Sequence, residues 1–220
     1  MKADFGLMLV AGHVSAAGRD LEKIITAAVS GGATIVQLRE KEATTREFVA
    51  LGRRVAEILR PRRIPLIIND RVDVALAVFA DGVHLGATDM SAADARAILG
   101  PKAIIGLSVE NEGEAVAAEH QEVDYLGVSP VFATPTKTDT GPAWGIEGLW
   151  RLRPLVRKPL VAIGGINSAN AARVLEAGAD GLAVVSAICG AADPEAATRE
   201  LRAILDNKRA RRIGDAGGLK

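Results

Sequence analysis

Gln37, Arg39 and Lys41 occupy alternate positions of the stretch Gln37-Leu38-Arg39-Glu40-Lys41. Side chains of an extended segment alternate between two faces, so an amide, a guanidinium and an ammonium would project together. Such a set suits an anion with several oxygens, a phosphate or a diphosphate. It equally describes three solvated polar residues at a strand end, and this segment alone leaves both readings open. Asp70, in Asn69-Asp70-Arg71, and Asp89, in Gly86-Ala87-Thr88-Asp89, could together hold Mg²⁺ with waters and substrate phosphate oxygens. Each could instead cap a helix, one beginning near Arg71 and one after Ser91. A second anion site is indicated by Gly164-Gly165-Ile166-Asn167 and Val185-Ser186, where backbone N–H groups would approach a phosphate closely. The alternative there is that Gly164-Gly165 only eases a turn. No Ser/His/Asp or Cys/His arrangement is visible. His84 reads as a core histidine or a support for other groups, and His13 and His120 as bystanders. Cys189, the only cysteine, lies in Ala187-Ile188-Cys189-Gly190 and reads as buried and structural.

The elements that would position these groups follow from apolar runs alternating with amphipathic segments. Expected strands are Phe5–Ala11, Ala33–Arg39, Leu66–Asn69, Gly82–Leu85, Ala103–Ser108, Tyr125–Val128, Leu160–Ile163 and Gly181–Val185. Short continuous apolar runs suit parallel strands covered on both faces. Helical segments are expected at Leu21–Ser30, Thr45–Arg60, Val72–Phe79, Ala92–Leu99, Gly113–His120, Ile146–Val156 and Ala169–Ala177. A last helix follows Asp193-Pro194 toward Asn207. Eight βα units without a domain-sized linker predict one (β/α)8 TIM barrel over residues 1–206, with a doubly wound open sheet as runner-up. Function in a barrel sits at the C-terminal strand ends. There the sequence places Gln37, Arg39, Lys41, Asn69, Asp70, Ser108, Gly165 and Ser186. The long connection from Ser129 to Gly145, rich in Thr, Pro and Gly, reads as a binding loop. Ser186 would begin the short extra helix that often cradles phosphate in such barrels.

Composition narrows the function classes. Aromatic residues are 3% of the 220, too few for a stacking platform that would bind single-stranded nucleic acid. Five of the 27 basic residues lie in 207–220, read as a basic, flexible tail, and the other 206 residues carry a net charge of −4. That argues against a nucleic-acid surface on the body. The absence of a long apolar run or a leader pattern points away from a membrane, and a single cysteine fits a reducing cytoplasm. Two anion sites in one cavity, one beside a divalent cation, imply two phosphorylated substrates or one diphosphorylated substrate.

Taken together, these stations resemble the thiamine phosphate synthase (thiamine-phosphate pyrophosphorylase) family over about residues 5–205. The resemblance rests on Gln37 through Lys41, Asn69-Asp70-Arg71-Val72-Asp73-Val74-Ala75, Asp81-Gly82-Val83-His84-Leu85-Gly86 and Gly106-Leu107-Ser108-Val109. It continues through Asp124-Tyr125-Leu126-Gly127, Thr134-Pro135-Thr136-Lys137, Ala162-Ile163-Gly164-Gly165-Ile166, Gly178-Ala179-Asp180-Gly181 and Val185-Ser186-Ala187-Ile188. It implies an enzyme that joins a hydroxymethylpyrimidine diphosphate to a thiazole phosphate or its carboxylated form and releases pyrophosphate. Gln37, Leu38, Arg39, Glu40, Lys41, Asn69, Ser108 and Lys137 would bind the pyrimidine diphosphate, and Asp70 and Asp89 would hold Mg²⁺. Of these, Arg39, Lys41, Ser108 and Lys137 would act in catalysis. Thr134, Pro135, Thr136, Gly165, Val185 and Ser186 would hold the thiazole phosphate. The resemblance also suggests a homodimer.

Three positions depart from the family pattern: Val10-Ala11-Gly12-His13 at the end of the first strand, Glu110 where many relatives have histidine, and Ala133 where proline is usual. A thiazole tautomerase of the same fold, or a non-catalytic barrel that binds thiamine precursors, are the alternatives. The lack of histidine at Glu110 and the retention of Asp70, Asp89 and Lys137 favour the synthase.

Overall fold

A short buried strand leaves its backbone N–H and C=O groups unsatisfied unless a neighbour lies on each side. The computed structural model describes residues 3–134 and 141–217. In it β1 (Leu7–Ala11), β2 (Ile35–Leu38), β3 (Leu66–Asn69), β4 (Gly82–Leu85), β5 (Ile104–Val109), β6 (Tyr125–Val128), β7 (Leu160–Ile163) and β8 (Gly181–Val184) pair in sequence order. All pairs are parallel, and β8 returns to β1 with Leu7 opposite Leu182. The sheet is therefore closed, which excludes the open doubly wound alternative. Helices cover it: α1 (His13–Ala16), α2 (Leu21–Ser30), α3 (Thr45–Leu59), α4 (Val72–Val78), α5 (Ala92–Leu99) and α6 (Glu112–Glu119). Then come α7 (Gly145–Leu152), α8 (Ala171–Glu176), α9 (Ser186–Cys189) and α10 (Pro194–Gly217). The chain is a single (β/α)8 barrel.

Alternation along each strand divides the core in two. Met8, Val10, Ile35, Ile67, Tyr125, Val161 and Ala183 fill the barrel interior. Leu7, Leu9, Val36, Leu38 and Ile68 face outward into the layer shared with the helices. α3 shows how a helix is set there. Thr44 and Glu47 form a capping box, with Thr44 Oγ1 accepting from the Glu47 N–H and Glu47 Oε2 from the Thr44 N–H. Phe48, Leu51, Val55 and Leu59 then form one buried stripe. Burying a side chain of that size stabilises by about 1.5–3 kcal/mol. Inside the barrel, Gly106 makes room for a ring: a Cβ there would lie 2.1 Å from Tyr125 Cζ.

Three elements differ from the sequence reading by more than a shift of one or two residues at an end. α1 spans four residues, too short to show a helical apolar period. The helix expected over Ile146–Val156 divides into α7 and a 3-10 turn at Arg153–Leu155, because Pro154 has no N–H with which to continue the α pattern. The last helix does not stop near Asn207 but runs to Gly217, and Arg209 pairs with Asp4. Among the described residues no helix is long and apolar enough to cross a membrane.

Candidate active site

The C-terminal strand ends enclose a cavity of about 670 Å³. β2 contributes Gln37, buried at 4% exposure, and the chain just beyond it contributes Arg39 and Lys41, all three lining the cavity as their spacing predicts. Leu38 and Glu40, expected to bind the pyrimidine diphosphate with them, are not among the residues that line the cavity. Period-two alternation turns them outward: Leu38 packs in the outer apolar layer, and Glu40 accepts from the His13 N–H at 2.6 Å.

Asn69, at the end of β3, is buried at the cavity wall. Asp70 follows with φ +64, a left-handed conformation in which aspartate is tolerated better than most residues. It carries the carboxylate toward Lys41, whose Nζ pairs with Asp70 Oδ2. Asp89 Oδ2 accepts from the Gly86 N–H at 2.7 Å. Burial pushes the Asp89 carboxyl up, the Gly86 N–H opposes this, and the adjacent Asp70 carboxylate raises it further. Neither acid is a helix cap: Arg71 precedes α4 with no side-chain bond, and Ser91 caps α5 through the Asp94 N–H. Two carboxylates forced together inside a cavity fit a divalent cation. Among the described residues no further His, Cys, Asp or Glu completes a cluster of three, so waters and a ligand would fill the remaining positions, as Mg²⁺ favours.

The floor is a hydrogen-bonded row that sequence reasoning missed as a unit. His84 Nδ1 lies 2.9 Å from the Tyr125 hydroxyl and Nε2 lies 2.9 Å from Ser108 Oγ. The Gln37 amide acts on the Tyr125 hydroxyl in favour of its ionised form, and its Nε2 reaches Met8 Sδ at 3.5 Å. Burial pushes the Tyr125 phenol far above its usual range, so it remains protonated. The clue available in the sequence was the period-two position of Tyr125, facing the barrel interior in an otherwise apolar strand.

On the opposite wall Gly164 (φ +105) and Gly165 (φ +64) turn the chain out of β7, and Asn170 Nδ2 donates to the Gly165 carbonyl at 2.9 Å. Val185 and Ser186 line the same wall as α9 begins. The connection from Ser129 is stitched at both ends. The Phe132 N–H reaches the Gly164 carbonyl at 3.1 Å, and the Gly145 N–H reaches that of Val131 at 2.9 Å. Thr134 lines the cavity, whereas Pro135, Thr136 and Lys137 lie outside the described residues. Glu110, another lining residue, accepts from the Gly141 N–H at 3.1 Å. Cys189 is buried, and burial pushes its thiol up, as for an inert structural cysteine.

Comparison with known proteins agrees with this geometry. The family model described as thiamine monophosphate synthase matches residues 7–188. A thiamine-phosphate synthase of Albidiferax ferrireducens is 54% identical over 91% of this chain and 91% of its own. One of Solidesulfovibrio magneticus is 57% identical over 95% of this chain and all of its own. The solved structure of thiamine phosphate pyrophosphorylase from Pyrococcus furiosus superposes with a TM-score of 0.85 at 40% identity, covering 94% of this chain and 98% of that one. The chain belongs to the thiamine monophosphate synthase family and is a transferase of thiamine biosynthesis.

Proposed function

We propose that the cavity joins a hydroxymethylpyrimidine diphosphate to a thiazole phosphate, with the residue roles given below. One observation carries this reading: a cationic and carboxylate wall at β2–β4 faces a glycine-rich wall at β7–β8 across a single cavity of about 670 Å³. Arg39 and Lys41 bind the diphosphate, and Lys137, assigned from the family motif, adds a third cation. Asp70 and Asp89 hold Mg²⁺, which when bound neutralises the charge that develops on the leaving pyrophosphate. Gln37, Asn69 and Ser108 orient the pyrimidine. Gly165, Val185, Ser186 and Thr134, with Pro135 and Thr136, hold the thiazole phosphate.

The chemistry explains the lack of a protein nucleophile. An aminopyrimidine stabilises positive charge on its methylene carbon, so the C–O bond breaks first and its electron pair departs on pyrophosphate. The thiazole nitrogen lone pair then forms the C–N bond. The protein supplies charge stabilisation at one end and anchors the nucleophile's distant phosphate at the other. Incubating purified protein with both substrates and Mg²⁺ should yield thiamine phosphate and pyrophosphate in equal amounts. Isomerisation of the carboxylated thiazole without coupling would establish the tautomerase instead, and binding without turnover the non-catalytic barrel. A homodimer in the cytoplasm is part of the same proposal, supported by the family resemblance and the single cysteine. A single species of monomer mass in sedimentation would overturn the dimer.

A further inference from the structure

β2 ends at Leu38, and the two cations assigned to the diphosphate lie beyond it, where the ladder with β1 makes its last bond. Three contacts from the end of β1 hold this stretch, the first being that last bond. The Arg39 N–H donates to the Ala11 carbonyl at 2.8 Å. Gly12 sits so close that a Cβ there would lie 2.0 Å from the Arg39 carbonyl oxygen. Glu40 Oε1 accepts from the His13 N–H at 2.6 Å and lies 2.8 Å from His13 Nδ1. The Glu40 side chain is only 4% exposed, whereas the His13 side chain is 60% exposed. Glu40 thus points away from the cavity, between two residues that point into it, and its carboxylate is committed to the β1–α1 turn.

We infer that Glu40 is a positioning residue, and that with His13 it braces the Arg39–Lys41 segment so that both cations meet the diphosphate. The reason is electrostatic as well as geometric. Arg39 and Lys41 are like charges on one face, a repulsion that the Lys41–Asp70 pair offsets only in part, and chain beyond the last ladder bond would splay to relieve the rest. A buried carboxylate bound by a backbone N–H and an imidazole pins the intervening residue. Binding groups are useful only when held to about 0.5 Å, and such supports supply that precision. This inference rests on reading Arg39 and Lys41 as the diphosphate ligands. The His13 contact falls in Val10-Ala11-Gly12-His13, one of the segments that departs from the usual family pattern.

The test is steady-state kinetics of the full chain with Mg²⁺, following the two substrates separately, with inorganic pyrophosphate as product inhibitor. Glu40→Ala should raise the KM for the pyrimidine diphosphate and the pyrophosphate inhibition constant about tenfold, as for the loss of one charge-assisted hydrogen bond. The KM for the thiazole phosphate should stay within about twofold. Glu40→Gln keeps an oxygen for the His13 N–H and should recover most of the loss. Because Glu40→Ala could impair folding, His13→Ala, at an exposed side chain, provides an independent arm with a rise of about threefold in the same two constants. Equal rises in both KM values would overturn the inference, since a loosened fold has no reason to favour one substrate. Arg39→Ala separates the two levels. If it weakens pyrophosphate inhibition while Glu40→Ala and His13→Ala do not, the brace is wrong and the diphosphate site stands. If Arg39→Ala has no effect, the diphosphate assignment fails, and the brace with it.

Discussion

Tyr125 carries a hydroxyl into the apolar interior of the barrel, and its burial decides how four side chains share their protons. Burial holds the phenol protonated, although the Gln37 contact pulls the other way. Protonated, Tyr125 can donate to His84 Nδ1. That leaves the proton of a neutral imidazole on Nε2, where it meets Ser108 Oγ. Ser108 is then free to direct its own proton into the cavity it lines. Tyr125→Phe should cost about 1–3 kcal/mol in urea denaturation by leaving His84 Nδ1 without the phenol. It should also raise the KM for the pyrimidine substrate more than that for the thiazole. Parental stability would show that His84 finds a donor of equal worth. The paired carboxylates invite a second test. A site present only in the folded state stabilises it in proportion to occupancy, so Mg²⁺ should raise the melting temperature. Asp70→Asn and Asp89→Asn should each abolish most of that rise. Without metal, Asp89→Asn should melt no lower than the parent, because it relieves a like-charge contact. An unchanged Mg²⁺ response in both variants would remove these residues as ligands.

The strands that present those side chains are tied in pairs at the far end of the barrel by a contact repeated around the ring. Thr34 Oγ1 accepts from the Leu7 N–H at 3.0 Å, Asp81 Oδ2 from Leu66 at 2.8 Å, Asp124 Oδ2 from Ile105 at 2.8 Å and Asp180 Oδ2 from Leu160 at 3.0 Å. Each of these polar residues directly precedes an even-numbered strand and donates its own N–H back to the carbonyl of the residue it caps. The barrel therefore reads as four two-stranded modules. Asp81→Ala should lower stability by about 1–2 kcal/mol, measured by urea unfolding, because the Leu66 N–H loses a charged acceptor. No change would mean that water replaces the carboxylate without cost. The sequence displayed part of this design. β3, β4, β6 and β7 begin and end where their apolar runs do, since burial on both faces demands unbroken runs. The Gly178-Ala179-Asp180 step was legible as a turn, but the role of its aspartate was not, because its partner Leu160 lies 20 residues away. At the site, period two found Gln37, Arg39 and Lys41. The same rule turns the Leu38 and Glu40 side chains away from the cavity. The Tyr125–His84 contact joins strands that are not neighbours in the sheet, so local pattern could not reveal it.

At the scale of the molecule, closure depends on the last helix as well as on the sheet. α10 packs against α2, α8 and α9, with Thr198, Leu201 and Leu205 buried beneath it. Its far end is tied to the chain just before β1: Arg209 Nη1 donates to Asp4 Oδ2 at 3.1 Å, its other nitrogen pairs with Oδ1, and Arg202 Nη1 stands 3.7 Å away. The same carboxylate accepts from the Gly6 N–H at 3.0 Å, so one side chain joins the start of the barrel to the helix that completes it. The Arg209 guanidinium holds the Asp4 carboxyl below its ordinary value of 3.8, against an opposing push from partial burial. A group whose pKa falls on folding stabilises fully above its unfolded value, and that contribution is lost as the pH falls through the lower folded value. Asp4→Asn should therefore lower the melting temperature at neutral pH. Its deficit should persist down to about pH 4 and close at still lower pH, where the parent's carboxyl is also uncharged. Thermal melts across the acid limb distinguish the possible origins of the tie. A deficit constant at every pH would mean that Asp4 holds α10 by shape and neutral hydrogen bonding. A deficit that closes in acid assigns the tie to its charge.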